Sequence, residues 1–201
     1  MSDIRLSILI PSVPSRLKTT LPLLVHKLEK QIENRTQQLD VELLVFTDNK
    51  RRTVGGKRND LIRLAHGTYI SFVDDDDDVS DDYVDQILKA TESDADVIVF
   101  DQAVYLNGNR AGDVRFGLEY ENQEVSYPGT TATRKPFQCC AWKLCIAICG
   151  LFTEKNDGAE DWPWVQQVVA IAKTQHRINK ILHTYRWSKS ITEATPNTWD
   201  T

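Results

Sequence analysis

The chain has 201 residues, 41% of them hydrophobic and 26% charged, and a formal net charge of −5 at neutral pH. That length suits one large domain and is short for two, and the composition excludes a disordered polymer. The acidic balance also argues against a nucleic-acid binder that works through a broad basic footprint.

In chain order, residues 4–10 form a short apolar run ending at Pro11, which predicts a buried first strand. Leu21, Leu24, Val25, Leu28 and Ile32 then recur at helical spacing. Residues 41–46 predict a second buried strand, and 47–56 a polar loop containing Gly55-Gly56. A second helix carries Leu61, Ile62, Leu64 and Ala65 and is expected to stop at Gly67. Residues 68–73 predict the third strand. Ser80 is the expected N-cap of the next helix, with Asp78, Asp81 and Asp82 at its start and Tyr83, Val84, Ile87 and Leu88 on its apolar side. Residues 95–100 predict a fourth strand. Three strand–helix repeats followed by a strand imply an α/β fold: an open, mostly parallel sheet with helices on both faces.

Beyond Asp101 the rhythm changes to short strand-like pieces at 104–105, 114–116 and 124–127, with turns at Asn107-Gly108-Asn109 and Pro128-Gly129. Residues 140–149 and 162–173 predict helices, and 177–186 a strand. With no repeat or linker, one domain over 1–201 is expected: a nucleotide-binding half (1–100) and an acceptor half (101–201) with a smaller mixed subsheet. The N-terminal residues lack the pattern of a signal peptide, and the longest apolar run, 144–152, is too short to span a bilayer, so a soluble cytoplasmic protein is expected. Cys139, Cys140, Cys145 and Cys149 crowd into one stretch, which reads as buried free thiols rather than a disulfide framework or a structural zinc site.

In open α/β sheets, ligands bind where strands end. Three ends here are polar: residues 11–16, 47–48 and the acidic run 74–78. No phosphate-gripping glycine loop is present. Five successive carboxylates repel one another unless a cation or solvent relieves them. Magnesium or manganese would do so, commonly through one or two carboxylates plus substrate phosphates. A calcium-binding EF-hand loop is excluded, because Val79 stands where its glycine belongs and Asp85 where its glutamate belongs. The cluster Lys50, Arg51, Arg52, Lys57 and Arg58 can hold a diphosphate or solvate a loop. A second acidic centre, Glu160-Asp161, precedes Trp162-Pro163-Trp164, where Pro163 marks the first turn of a helix. Asp161 there is either an N-cap or a general base that the helix N-terminus keeps ionised.

Ser7 to Pro11, Arg58-Asn59, the stretch from Ala65 to Asp77, Gly150 to Phe152, Glu160 to Trp162 and Tyr185 to Trp187 together resemble a family 2 glycosyltransferase with the GT-A fold. The resemblance implies that Pro11, Ser12 and Arg16 cradle the base and ribose, that Asp48 bonds the base, and that Arg58 lies near the base and diphosphate. It places Asp74 near the ribose and Asp76 on a Mn2+ or Mg2+ ion, the two acids of a D-x-D motif, with Asp75 close to both roles. It assigns Asp161 as the base, with Glu160 in support. Where family members often carry a further metal-ligating His this chain has Ser188, and His183 is the nearby candidate. The implied reaction is inverting, non-processive transfer from a nucleotide sugar, such as a UDP-sugar, to a glycan, a lipid-linked sugar or a hydroxylated base in phage DNA. Competing readings are a sugar-phosphate nucleotidyltransferase, which needs a glycine-rich loop after the first strand, and a non-catalytic nucleotide-sugar-binding module.

Overall fold

The structure, a computed structural model, describes residues 4–35, 40–123, 129–154 and 160–189. Its strands are β1 (Leu6–Ser12), β2 (Val41–Thr47), β3 (Tyr69–Phe72), β4 (Asp78–Val79), β5 (Val97–Leu106), β6 (Asn109–Phe116), β7 (Thr130–Arg134), β8 (Ala141–Lys143) and β9 (Gln175–Trp187). Its helices are α1 (Thr20–Glu33), α2 (Val54–Leu64), α3 (Tyr83–Thr91), α4 (Leu144–Ala147) and α5 (Trp162–Ile171). The sheet runs β2-β1-β3-β8-β5-β6-β7, with β9 beside β5 and β4 beside β9. This is the open α/β sheet expected, parallel across β2-β1-β3 and again at β5-β9 and β6-β7.

Side-chain alternation on β1 explains the layering. Leu6, Ile8 and Ile10 join α1 and α3 in one core, while Leu9 joins α2, α4 and α5 in the other. Helices therefore cover both faces. The strand continues through Pro11 to Ser12, paired with Phe46 and Thr47. Proline is tolerated there because β3, on the side its nitrogen faces, ends at Phe72 opposite Leu9.

Several sequence expectations need correction. Residues 140–149 are not one helix: Trp142 sits on β8, antiparallel between β3 and β5, and only Leu144–Ala147 is helical. A fully buried Trp142 in mid-sheet outweighs local helix propensity. Asp78 and Ser80 do not begin a helix. Asp78 and Val79 pair with Thr184 and His183, and Asp82 holds the N-cap position of α3. Helix α2 begins within the expected loop, capped by the Thr53 hydroxyl accepting from Gly56 N–H, so Gly55-Gly56 is helical. It ends at Leu64; Gly67 instead permits close approach, since a Cβ there would lie 2.6 Å from the Ser7 nitrogen. Only Cys139 and Cys140 are buried, whereas Cys145 and Cys149 are exposed. The piece at 104–105 belongs to the long strand β5, and the turn at Asn107-Gly108 is a hairpin with both residues at positive φ. The strand expected at 124–127 lies outside the described residues, as does Pro128.

Candidate active site

The ends of β1, β2 and β3 lie side by side and bring three polar segments together. At the end of β1 the Ser12 hydroxyl donates to Asp75 at 2.7 Å, and the Val13 N–H reaches the same carboxylate oxygen at 3.2 Å. Arg16, on a short 3-10 turn, pairs with Asp75 and, through Nη2, with Asp76 at 2.9 Å. Beyond β2, Asp48 accepts the backbone N–H groups of Arg51 and Arg52 and pairs with Lys57 at 2.7 Å. Lys57 also donates to the Ser12 carbonyl at 2.6 Å, which ties the β1 and β2 ends together. The Lys57 ammonium and these N–H groups hold the Asp48 carboxyl down at about 2.

The acidic run divides by partner. Asp74 receives both oxygens' hydrogen bonds from Arg58 Nη2, at 2.8 and 3.0 Å. Asp75 is buried among Ser12, Val13 and Arg16. Asp77 is buried, accepts the Arg186 N–H at 2.8 Å, and lies 3.5 Å from His183 Nε2. Asp78 pairs with Lys27 and Arg186 at the surface. Burial, opposed by Arg16 and reinforced by Asp74 and Asp75, pushes Asp76 up to about 7. Burial and its acidic neighbours push Asp77 well above the carboxylate range.

Both shifts arise first from burial, with the neighbouring carboxylates adding to it. A divalent cation fits this donor set: Asp76 is a hard oxygen ligand whose ionisation a nearby cation would favour. Among the described residues no three His, Cys, Asp or Glu side chains are grouped to hold a metal ion. His183 is fully buried, accepts at Nδ1 from the Gln102 amide NH2 at 3.0 Å, and is pushed down to about 4 by burial. It borders a cavity of about 50 Å³ shared with Asp74, Asp77 and Gln138.

The second acidic centre reaches the first across Arg58. Glu160 Oε1 accepts from Arg58 Nη1 at 2.6 Å, so one buried guanidinium spans Asp74 and Glu160. Asp161 stands at the N-cap position of α5, but its side chain makes no cap hydrogen bond. The helix end does not keep this carboxyl low, as the sequence suggested. Burial, against Arg58 and together with Glu160 and Asp74, raises it to about 6. That value suits a group that must give up its proton below neutral pH and accept one in a reaction.

A family model described as "Glycosyl transferase family 2" matches residues 26–145, more than half of the sequence. The chain belongs to glycosyl transferase family 2. Solved structures of S. aureus TarS share the GT-A fold of this chain. TarS 1–349 in complex with UDP-GlcNAc superposes with a TM-score of 0.63 at 14% identity, covering 91% of this chain and 58% of that one. TarS 1–349 in complex with UDP gives 0.63 at 15% identity, with 92% and 61% covered. A longer TarS structure gives 0.62 at 15%, with 91% and 37% covered. The chain therefore spans about three-fifths of the TarS 1–349 chains. No curated protein sequence matches it.

The sequence places Lys57 and Arg58 in a basic cluster that can hold a diphosphate or solvate a loop, and gives Asn59 no role of its own. All three are buried on α2. The signal was present in Gly55-Gly56: a Cβ on Gly55 would sit 2.0 Å from the Thr153 carbonyl, so α2 lies hard against the segment leading to Glu160. The tryptophans also separate. Trp142, Trp164 and Trp187 are core residues, whereas Trp162, beside Asp161, is 37% exposed. Among the described residues no helix is long and apolar enough to cross a membrane.

Proposed function

We propose that the chain moves one sugar from a UDP-sugar to an acceptor hydroxyl, with inversion and without processivity. The observation that carries this reading is the meeting of Asp74 and Glu160-Asp161 on one buried arginine, which puts a donor-side acid and a candidate base at one site. The donor's base and ribose would lie along Pro11, Ser12, Arg16 and Asp48, with Asp74 and Asp75 beneath. TarS structures holding UDP and UDP-GlcNAc support a uridine donor.

Asp161, ionised at neutral pH, would take the proton of the acceptor hydroxyl. The acceptor oxygen then forms its bond to the anomeric carbon from the face opposite the diphosphate, and the carbon–oxygen bond to UDP breaks. A Mn2+ or Mg2+ ion held by Asp76, with His183 the candidate second ligand, would supply charge neutralisation for the departing diphosphate. Glu160 orients the Asp161 segment through Arg58. The part-exposed ring of Trp162 beside the base offers a face on which an acceptor sugar or nucleobase can stack.

The test is a screen of UDP-sugars for metal-dependent hydrolysis and transfer with the intact protein, Asp76→Ala and Asp161→Ala. Asp76→Ala should abolish metal-dependent donor binding, while Asp161→Ala should spare binding and stop transfer. Unchanged turnover in both variants would remove the assignment.

A further inference from the structure

We propose that Arg58 is a positioning residue that braces the Glu160-Asp161 segment against Asp74, rather than a ligand of the nucleotide. The inference rests on the reading of Asp161 as the base. The Arg58 side chain is 3% exposed, whereas its partner Asp74 is 30% exposed, so the carboxylate and not the cation faces the opening. Nη2 is committed to Asp74, Nη1 to Glu160, and Nε is buried without a hydrogen-bond partner among the described residues. The guanidinium lies over the rings of Phe72 and Phe152, with centroids 5.9 and 5.5 Å away. A fork so enclosed has little surface left with which to grip a diphosphate.

The same enclosure is what a brace requires. Asp74 follows β3, at the sheet's edge of the site, and Glu160 immediately precedes α5. Glu160 is fixed a second time where its carbonyl accepts the Thr153 N–H at 3.2 Å. Among the described residues, the charged groups that bear most on Asp161 are Arg58, Glu160 and Asp74, of which Arg58 is the cation. Removing it leaves the base between two carboxylates, which favours its protonated form.

The experiment is a carbon-detected NMR titration of the Asp161 carboxyl in aspartate-labelled protein, assigned with Asp161→Asn, for the intact chain, Arg58→Met and Arg58→Lys. UDP affinity in manganese is measured by calorimetry on the same samples. Arg58→Met should raise the Asp161 midpoint by roughly one pH unit or more, with Arg58→Lys recovering much of the shift. UDP affinity should change by less than about threefold. An unmoved midpoint in folded Arg58→Met overturns the proposal, as does an affinity loss of about tenfold or more whatever the midpoint does. If Arg58→Met does not fold, Arg58→Met/Glu160→Gln against Glu160→Gln alone makes the same comparison without a stranded charge. Failure of the glycosyltransfer reading is a separate result: turnover that survives Asp161→Asn, whatever the titration shows.

Discussion

Asn59 on α2 and Phe152, 93 residues later in the chain, exchange two hydrogen bonds. The Asn59 Nδ2 donates to the Phe152 carbonyl at 3.0 Å, and its Oδ1 accepts the Phe152 N–H at 3.0 Å. Both residues are buried. The amide thus holds the Phe152 backbone against α2, and among the described residues that backbone has no strand partner. Asn59→Leu strands a buried N–H and a buried carbonyl at once, which should cost about 2–4 kcal/mol. Urea denaturation measures the loss; a change below about 0.5 kcal/mol would mean that the clamp is dispensable.

Gly55 makes the complementary prediction by space alone. Its Cβ position is occupied by the Thr153 carbonyl, a backbone atom that cannot swing aside. Gly55→Ala gains helix propensity yet should destabilise by roughly 1–3 kcal/mol, because α2 or the 152–154 segment must move. Thermal unfolding of the variant checks the sign: stabilisation would show that the contact yields freely.

Among the tryptophans, Trp164 stacks on Phe152 at 4.7 Å and meets Trp142 edge-on at 5.6 Å, with its Nε1 donating to the Ala147 carbonyl. Trp164→Ala should lose about 3–5 kcal/mol. Trp162→Ala should cost under about 1 kcal/mol, since that ring is part exposed, and raise the KM for acceptor. Equal destabilisation of both variants would contradict the division into core and site.

The pH dependence of stability has a definite sign. Asp76, Asp77 and Asp161 have raised values in the folded chain, so between pH 4 and about 6 each holds a proton that the unfolded chain releases. His183, pushed down to about 4, acts in the opposite direction below its unfolded value of about 6.5. Three carboxylates outweigh one imidazole, so unfolding free energy from these groups falls as pH rises through 5 to about 7. Denaturation at several pH values reads this slope, and adding UDP with manganese should flatten it. A stability that climbs steadily from pH 5 to about 8 would oppose it.

Transfer should show its own limb. The active form of Asp161 is the carboxylate, so the rate should rise with pH up to about 6 and level off above. A pH–rate profile at saturating donor measures the limb, and a profile flat from pH 5 upward would argue for a different base.

How much of this could be read from residue order follows from how local each feature is. The strands β1, β2 and β3 and the helices α1 and α3 came from apolar runs and helical spacing, which report burial directly along the chain. The acids at 74–76 and 160–161 were legible for a similar reason, because each lies in a short motif at an element's end. Trp142 on β8 was not legible, since a three-residue strand inserted between two others carries no periodicity of its own. Nor was the burial of Lys57, Arg58 and Asn59: charged and amide residues at a helix start are indistinguishable from a solvated face until a partner arrives from elsewhere. Those partners come from Ser12, Asp48, Asp74, Phe152 and Glu160, at separations of 9 to 102 residues. Sequence alone therefore determined the fold class and the two acidic centres. Tertiary structure decided that one buried arginine joins them, because only folding pays the desolvation of a guanidinium by placing two carboxylates and two phenyl rings around it.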